Sequence, residues 1–244
     1  VVDAAVALGA AVSVGFCTLA IHEPYRRRAR ALLASAPELS WVVLTDAPDE
    51  FADLPVRAVL HQATGPMALD YLERLPATGE NRGAAAYHDK RFAIAAALRD
   101  FDTAVFVDAD SRLAEGAAVP ALPPGLCALP VVRKTVSEHL ETCGAWRLPS
   151  FEALARALTG GDDVLHVALW CHETLYAVTR DGREGRFLDA WDRAAGFLHD
   201  RGVHSGEGGV MGLAAACAGW TPDLDALTAF GASIVHEGGG PKGA

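Results

Sequence analysis

Short apolar runs alternate with amphipathic stretches through the first half of the chain. Residues 13–19 form an almost unbroken apolar run with β-branched and aromatic members, which predicts a buried strand. A helix is predicted over 25–33, after the Pro24 start signal, with arginines on its outer face. Further strands are predicted at 41–44 and 56–60, the first ending in the turn cluster Thr45-Asp46-Ala47-Pro48-Asp49. Residues 66–75 read as helix and 77–86 as a Gly/Asn-rich loop. A helix over 87–99 carries apolar positions at Phe92, Ala95, Ala96 and Leu98. A strand at 104–107 stops abruptly at an acidic turn. The second half is less regular: strands at 126–132, 164–170, 174–179 and 233–236, and helices at 151–158, 184–201 and 207–218.

Strands alternating with helices predict an α/β fold with a mainly parallel central sheet covered on both faces, Rossmann-like in architecture. Ligands of such sheets bind at the carboxyl ends of the strands. No repeat and no interdomain linker is visible, so the chain reads as one domain. Residues 1–115 form its regular half and 116–244 its irregular half.

Composition narrows the function. The chain has 244 residues, 51 % of them hydrophobic, enough for a large core. Its net charge of −10 argues against general nucleic-acid binding and against an anionic membrane surface. Residues 4–21 carry no charge, but they are rich in Ala, Gly and small polar residues, so no integral membrane span is expected. The 5 cysteines are scattered without a CxxC pair. That argues against a cysteine zinc site or a disulfide framework and points to a reducing, cytoplasmic setting. Lysine occurs only at Lys90, Lys134 and Lys242, which makes its placement informative.

Chemistry concentrates at two places. The strand Val105-Phe106-Val107 delivers Asp108-Ala109-Asp110, two carboxylates one residue apart. Such a pair suits a hard divalent cation that bridges phosphates, and it also suits an ordinary acidic turn. Near the chain end, His236-Glu237-Gly238-Gly239-Gly240-Pro241-Lys242 fits H-x-x-G-x-x-K. An imidazole can complete a metal site, glycine N–H groups can approach an anion, and a lysine can neutralise phosphate.

Together these segments resemble the GT-A glycosyltransferases, most closely the retaining family 8 type that includes glycogenin and bacterial galactosyltransferases. The resemblance implies Asp108, Asp110 and His236 as ligands of Mn2+ or Mg2+, with Ala109 on the same cofactor-binding turn. It implies Gly239 and Lys242 as diphosphate contacts. It further implies a basic residue on the preceding helix near the donor, for which Arg91 is the match and Lys90 a neighbour able to replace or assist it. Thr18 and Asp46, at the ends of the first two strands, are expected to meet the nucleotide base, with Tyr25 capping the site.

On the acceptor side, His172 and Glu173 are expected to hold acceptor hydroxyls, and His204 to cap a helix or bind acceptor. Glu207 is expected to steady the developing oxocarbenium ion or to position the acceptor. Trp170, Trp191 and Trp220 are candidates for stacking on a sugar. The implied activity is metal-dependent transfer of a sugar from a nucleoside diphosphate, a UDP-sugar in the first instance, to a carbohydrate, protein or small-molecule acceptor with retention. Two departures stand beside it. The family continues K-P-W where this chain has Gly243-Ala244, and the F-N-S-G and D-Q segments are not reproduced. Two alternatives remain open. One is a haloacid-dehalogenase-like phosphatase with Asp108 as nucleophile, although Arg112 stands where that family has Thr or Val. The other is a GT-A domain that binds nucleotide sugar without turnover.

Overall fold

The computed structural model describes residues 12–64, 85–117, 121–203 and 206–236. The helix expected at 66–75 and most of the loop at 77–86 lie outside these residues. Among the described residues, strands β1 (Val14–Ala20), β2 (Trp41–Thr45), β3 (Arg57–Leu60) and β4 (Thr103–Val107) come from the first half. They alternate with helices α1 (Glu23–Ser35) and α2 (Lys90–Ala97). After β4 come β5 (Ser111–Leu113), β6 (Gly125–Ala128), α3 (Val136–Cys143), α4 (Leu148–Thr159) and β7 (Leu175–Thr179). The chain continues with α5 (Glu184–His199), α6 (Glu207–Ala218), α7 (Thr228–Gly231) and β8 (Ile234–His236).

The central sheet has 6 strands in the order β3-β2-β1-β4-β7-β6. β3, β2, β1 and β4 run parallel, and β7 is antiparallel to both β4 and β6. This is the mostly parallel, helix-flanked α/β sheet that the alternation predicts. The order reverses between β1 and β4, and sheets of this kind bind ligands beyond the carboxyl ends of the strands at such a point. β4 ends one residue before Asp108.

Alternate residues of each strand feed two cores. Phe16, Val43, Val105 and Val107 pack on one face with α1 residues Ala29, Leu32 and Leu33 and with Phe230 of α7. Cys17, Leu44 and Phe106 pack on the other with α2, α5 and α6. α2 approaches its face closely because its inner positions are Ala93, Ile94, Ala96 and Ala97. α6 is buried nearly all round, as its run of Gly, Ala, Val and Leu requires. Its glycines permit that: a Cβ on Gly208 would lie 2.2 Å from the Cys171 carbonyl oxygen. No helix among the described residues is long and apolar enough to cross a membrane.

Several expectations are corrected. Residues 164–170 do not form a strand; Asp163–His166 is a 3-10 turn and the rest is irregular. This segment bonds to the loop before α3, through Val136 N–H to Ala168 O at 2.8 Å and Trp170 N–H to Lys134 O at 3.0 Å. Its apolar residues therefore fill a gap between helices without joining the sheet. The helix expected over 87–99 begins as a 3-10 turn, Ala85–Asp89, and becomes α-helical only at Lys90. The Asp89 carboxylate accepts from Thr64 N–H at 2.9 Å, outside the helix. The strand at 126–132 ends at Ala128. β5 and α3, the latter opened by a Thr135/Glu138 capping box, were not expected from the apolar pattern.

Candidate active site

Asp108 continues the β4–β7 ladder through its N–H to Thr174 O at 2.9 Å, and the chain turns as Ser111 N–H bonds back to Asp108 O at 3.1 Å. That turn sends β5 away from the main sheet, where it pairs antiparallel with β8, Ser111 opposite His236. Residues separated by 125 positions thus meet: the Ser111 hydroxyl lies 3.4 Å from His236 Nδ1. His236 Nδ1 is 3.3 Å from Asp110 Oδ1. Arg28 of α1 reaches the same carboxylate, with Nη1 3.8 Å from Asp110 Oδ2.

Asp108 points to a second group. Its Oδ1 is 3.0 Å from Lys90 Nζ, and the same ammonium lies 3.4 Å from Glu207 Oε1. Lys90 also donates to the Glu173 carbonyl at 3.2 Å. The Glu173 carboxylate in turn accepts the Gly208 N–H at 2.9 Å, at the start of α6. Four separate segments converge here: the first turn of α2, the end of β4, the loop before β7 and the first turn of α6. Gly206, with φ 98°, makes the left-handed turn that aims Glu207 inward. Beneath the ammonium lies the Phe106 ring, 5.4 Å from Nζ, itself stacked on Tyr176 at 4.9 Å.

Burial and pairing set the charges. Burial works to lower the Lys90 pKa, but Asp108, Glu207 and Glu173 more than offset it and hold the ammonium protonated. Burial would raise Glu207, yet Lys90 keeps it below the usual carboxylate range. Asp108 is pushed upward by burial, against the pull of Lys90. Glu173 is pushed up to about 7, first by burial and then by the neighbouring Glu207 carboxylate. Asp108 and Glu207 thus share one cation, and the Glu173 carboxyl beside them is held well above the usual carboxylate range.

No protein-family model matches the chain, and no curated protein matches it.

Of the residues expected from sequence, Lys90, Asp108, Glu173 and Glu207 are gathered in one cluster, and Asp110 and His236 in an adjoining pair. Arg91 turns the opposite way. Its guanidinium bonds Asp192 of α5 at 3.0 and 2.8 Å and the His88 carbonyl at 2.8 Å. Successive helix positions lie about 100° apart, so Lys90 and Arg91 cannot serve the same point. Thr18 lies inside β1, fully buried, and its hydroxyl has no hydrogen-bond partner among the described residues. The Asp46 carboxylate is engaged by His22 N–H at 3.1 Å and Arg26 Nη1 at 2.8 Å. It pins the β1–α1 turn, where His22 takes a left-handed φ of 69°. Ala109 is buried in the turn.

His172 Nδ1 lies 2.8 Å from the Thr174 hydroxyl, and its ring meets Trp170 edge-on at 5.8 Å. Trp191 is a core residue, fully buried against Phe187, while Trp170 and Trp220 are buried almost as deeply. Tyr25 lies under the Arg28 guanidinium at 5.6 Å. His204, Gly239 and Lys242 lie outside the described residues. Arg28 was not expected. It is one of several arginines on α1, and nothing in that run marks the one that faces Asp110.

Asp110 and His236 offer an oxygen and a nitrogen donor to a divalent cation from a partly exposed edge, with side chains 20 % and 37 % accessible. Asp108 does not join them, because its Oδ1 is held by Lys90. Among the described residues no group of three or more His, Cys, Asp or Glu side chains is arranged to hold a metal ion. Two protein donors could hold a cation only with its remaining positions left to water and phosphate oxygens, and the imidazole nitrogen suits Mn2+ better than Mg2+.

Proposed function

We propose that this chain is a divalent-metal-dependent glycosyltransferase that uses a nucleoside-diphosphate sugar, a UDP-sugar in the first instance, and a hydroxyl acceptor. The observation that carries the reading is the 3.3 Å approach of His236 Nδ1 to Asp110 Oδ1. It joins the acidic turn after β4 to His236, the first residue of H-x-x-G-x-x-K, at the carboxyl end of a mostly parallel sheet. A GT-A arrangement and retention of configuration are part of the same proposal and rest on resemblance.

In this reading Asp110 and His236 would hold Mn2+ or Mg2+. The cation, when bound, supplies positive charge to the departing diphosphate. Lys90 orients the carboxylates of Asp108 and Glu207 at the carboxyl end of β4 and offsets their mutual repulsion. Glu207, kept ionised by Lys90, faces the reacting carbon and stabilises the oxocarbenium character that develops there. Each 1.4 kcal/mol of stabilisation gained only in the transition state is worth about tenfold in rate. Glu173, poised near neutrality, hydrogen-bonds the acceptor hydroxyl with His172 beside it.

The test is a panel of nucleotide sugars with and without Mn2+, read by release of the nucleoside diphosphate and by thermal shift. Metal-dependent release from at least one donor supports the reading. A folded protein that neither binds nor cleaves any member of the panel defeats it.

A further inference from the structure

Four arginines of α1 face carboxylates, and three of them have partners outside the candidate site. Arg26 pairs with Asp46 and Glu50, Arg27 with Glu23, and Arg30 with Asp53. Arg28 alone of the four reaches the acidic turn, 3.8 Å from Asp110 Oδ2. That separation is beyond hydrogen-bonding distance, so Asp110 attracts the guanidinium without taking up its donor fork. Arg28 is nevertheless held in place. The Tyr25 ring lies one turn before it at 5.6 Å, and α1 is fastened along β5 by the Leu113 N–H to the Ser35 hydroxyl at 3.0 Å. The guanidinium stays 40 % accessible.

We propose that Arg28 grips the diphosphate of the nucleotide at this site and, while no diphosphate is bound, competes with the metal for Asp110. This rests on the reading of Asp110 and His236 as a cation site. The physics gives Arg28 two opposed effects. A divalent cation arriving at Asp110 must displace or approach a guanidinium of the same sign, which weakens metal binding. Once a diphosphate lies against the cation, its oxygens face a planar, always-charged fork a few ångströms away. They can be bound in a bidentate fashion that lysine does not reproduce. Arg28 therefore opposes the metal alone and favours the metal with diphosphate. Such a coupling converts a weak metal site into one filled chiefly together with its nucleotide.

Mn2+ binding followed by electron paramagnetic resonance, and inorganic pyrophosphate binding at saturating Mn2+ followed by calorimetry, measure the two effects on the full chain without a nucleobase or sugar. For Arg28→Gln, Mn2+ alone is expected to bind about 2- to 5-fold tighter and pyrophosphate about tenfold weaker. Arg28→Lys keeps the charge and should leave Mn2+ affinity near that of the unaltered protein while still losing pyrophosphate affinity. Arg28 is only partly buried and makes no hydrogen bond to Asp110, so both variants are expected to fold, which circular dichroism checks. Loss of both affinities in parallel would assign Arg28 a merely structural role and overturn the proposal. So would an unchanged pyrophosphate affinity, or an unaltered protein that takes Mn2+ but no pyrophosphate. An unaltered protein that takes neither sinks the underlying reading of the site itself.

Discussion

Lys90 and Glu207 meet 3.4 Å apart although one begins α2 and the other begins α6. Asp108 stands 3.0 Å from the same ammonium. The side chains of Lys90 and Glu207 are 9 % and 6 % accessible, so neither ion is solvated well enough to stand alone. The contact ties the helical layer to the end of β4 and makes the site part of the fold's stability as well as its chemistry.

Lys90→Met is therefore expected to be costly. It leaves Asp108 and Glu207 facing each other without a counter-ion, a change that costs about 3–5 kcal/mol for a buried pair broken on one side. Chemical denaturation should show a lower midpoint with little change in slope. The double variant Lys90→Met/Glu207→Gln should recover part of the loss, because one uncompensated charge is removed. If the single variant is as stable as the unaltered protein, the ammonium does not hold the cluster.

The cluster also predicts a pH signature. Glu173 is shifted from 4.5 up to about 7 by burial and by Glu207. A carboxyl whose folded pKa is raised binds more protons folded than unfolded. Its contribution is present below about 4.5 and is lost as pH rises towards 7, at up to ~1.4 kcal/mol per pH unit. His139 acts in the opposite sense. It stacks on Trp170 at 4.1 Å, and burial, then Arg147, lower it from 6.5 to about 4. A histidine depressed in the folded state costs stability as pH falls from 6.5 towards 4. The two partly cancel in the unaltered protein, so the variants separate them. Glu173→Gln should be relatively more stable at pH 7 than at pH 5, and His139→Phe relatively more stable at pH 5 than at pH 7. Melting temperatures across this range check both, and a flat difference for Glu173→Gln would remove the shifted carboxyl.

The sequence made the strands and the acidic turn legible because their signals are local. β1, β2, β4 and β7 are apolar runs buried on both faces, and α6 begins at Glu207 as the small-residue run suggests. The joining of Asp110 to His236 was legible only through resemblance, since no local pattern pairs β5 with β8. What the sequence did not disclose is side-chain direction. Lys90 and Arg91 are adjacent, both basic and both buried, yet one serves Asp108 and the other Asp192. The choice is made by where α2 lies against α5 and β4, a tertiary matter. The false strand at 164–170 has the same origin: Val164, Leu165 and Leu169 are apolar because they pack against helices, and burial alone does not distinguish that from a sheet.

Gly208 should tolerate no side chain. A Cβ there would stand 2.2 Å from the Cys171 carbonyl oxygen and 2.6 Å from the Trp170 ring nitrogen. The first contact is backbone and cannot swing aside. Gly208→Ala must push α6 away from the 171–173 segment and stretch the Glu173–Gly208 hydrogen bond, a strain of about 1–3 kcal/mol. Gly185, on the exposed start of α5, has nothing within 4 Å of the same position. Gly185→Ala should match or slightly exceed the unaltered protein, because alanine favours helix by about 1 kcal/mol. Equal melting temperatures for the two variants would contradict the packing described for α6.

The two aspartates of the acidic turn should separate by experiment, although sequence treats them as a matched pair. Asp110 is partly exposed and faces His236 and Arg28, so Asp110→Asn removes a charge from a solvated edge. Its effect on stability should lie within about 0.5 kcal/mol, while Mn2+ binding and any metal-dependent turnover fall sharply. Asp108 is as accessible as Asp110, but it neutralises the buried Lys90 ammonium, so Asp108→Asn should lower stability by about 1–3 kcal/mol through loss of a charge-assisted bond. Some Mn2+ affinity should persist in that variant, because Asp110 and His236 are untouched. Thermal melts and Mn2+ titrations on both variants decide the matter. Equal loss of Mn2+ affinity with no difference in stability would mean that both carboxylates bind the cation directly and that Lys90 gives Asp108 up when it arrives.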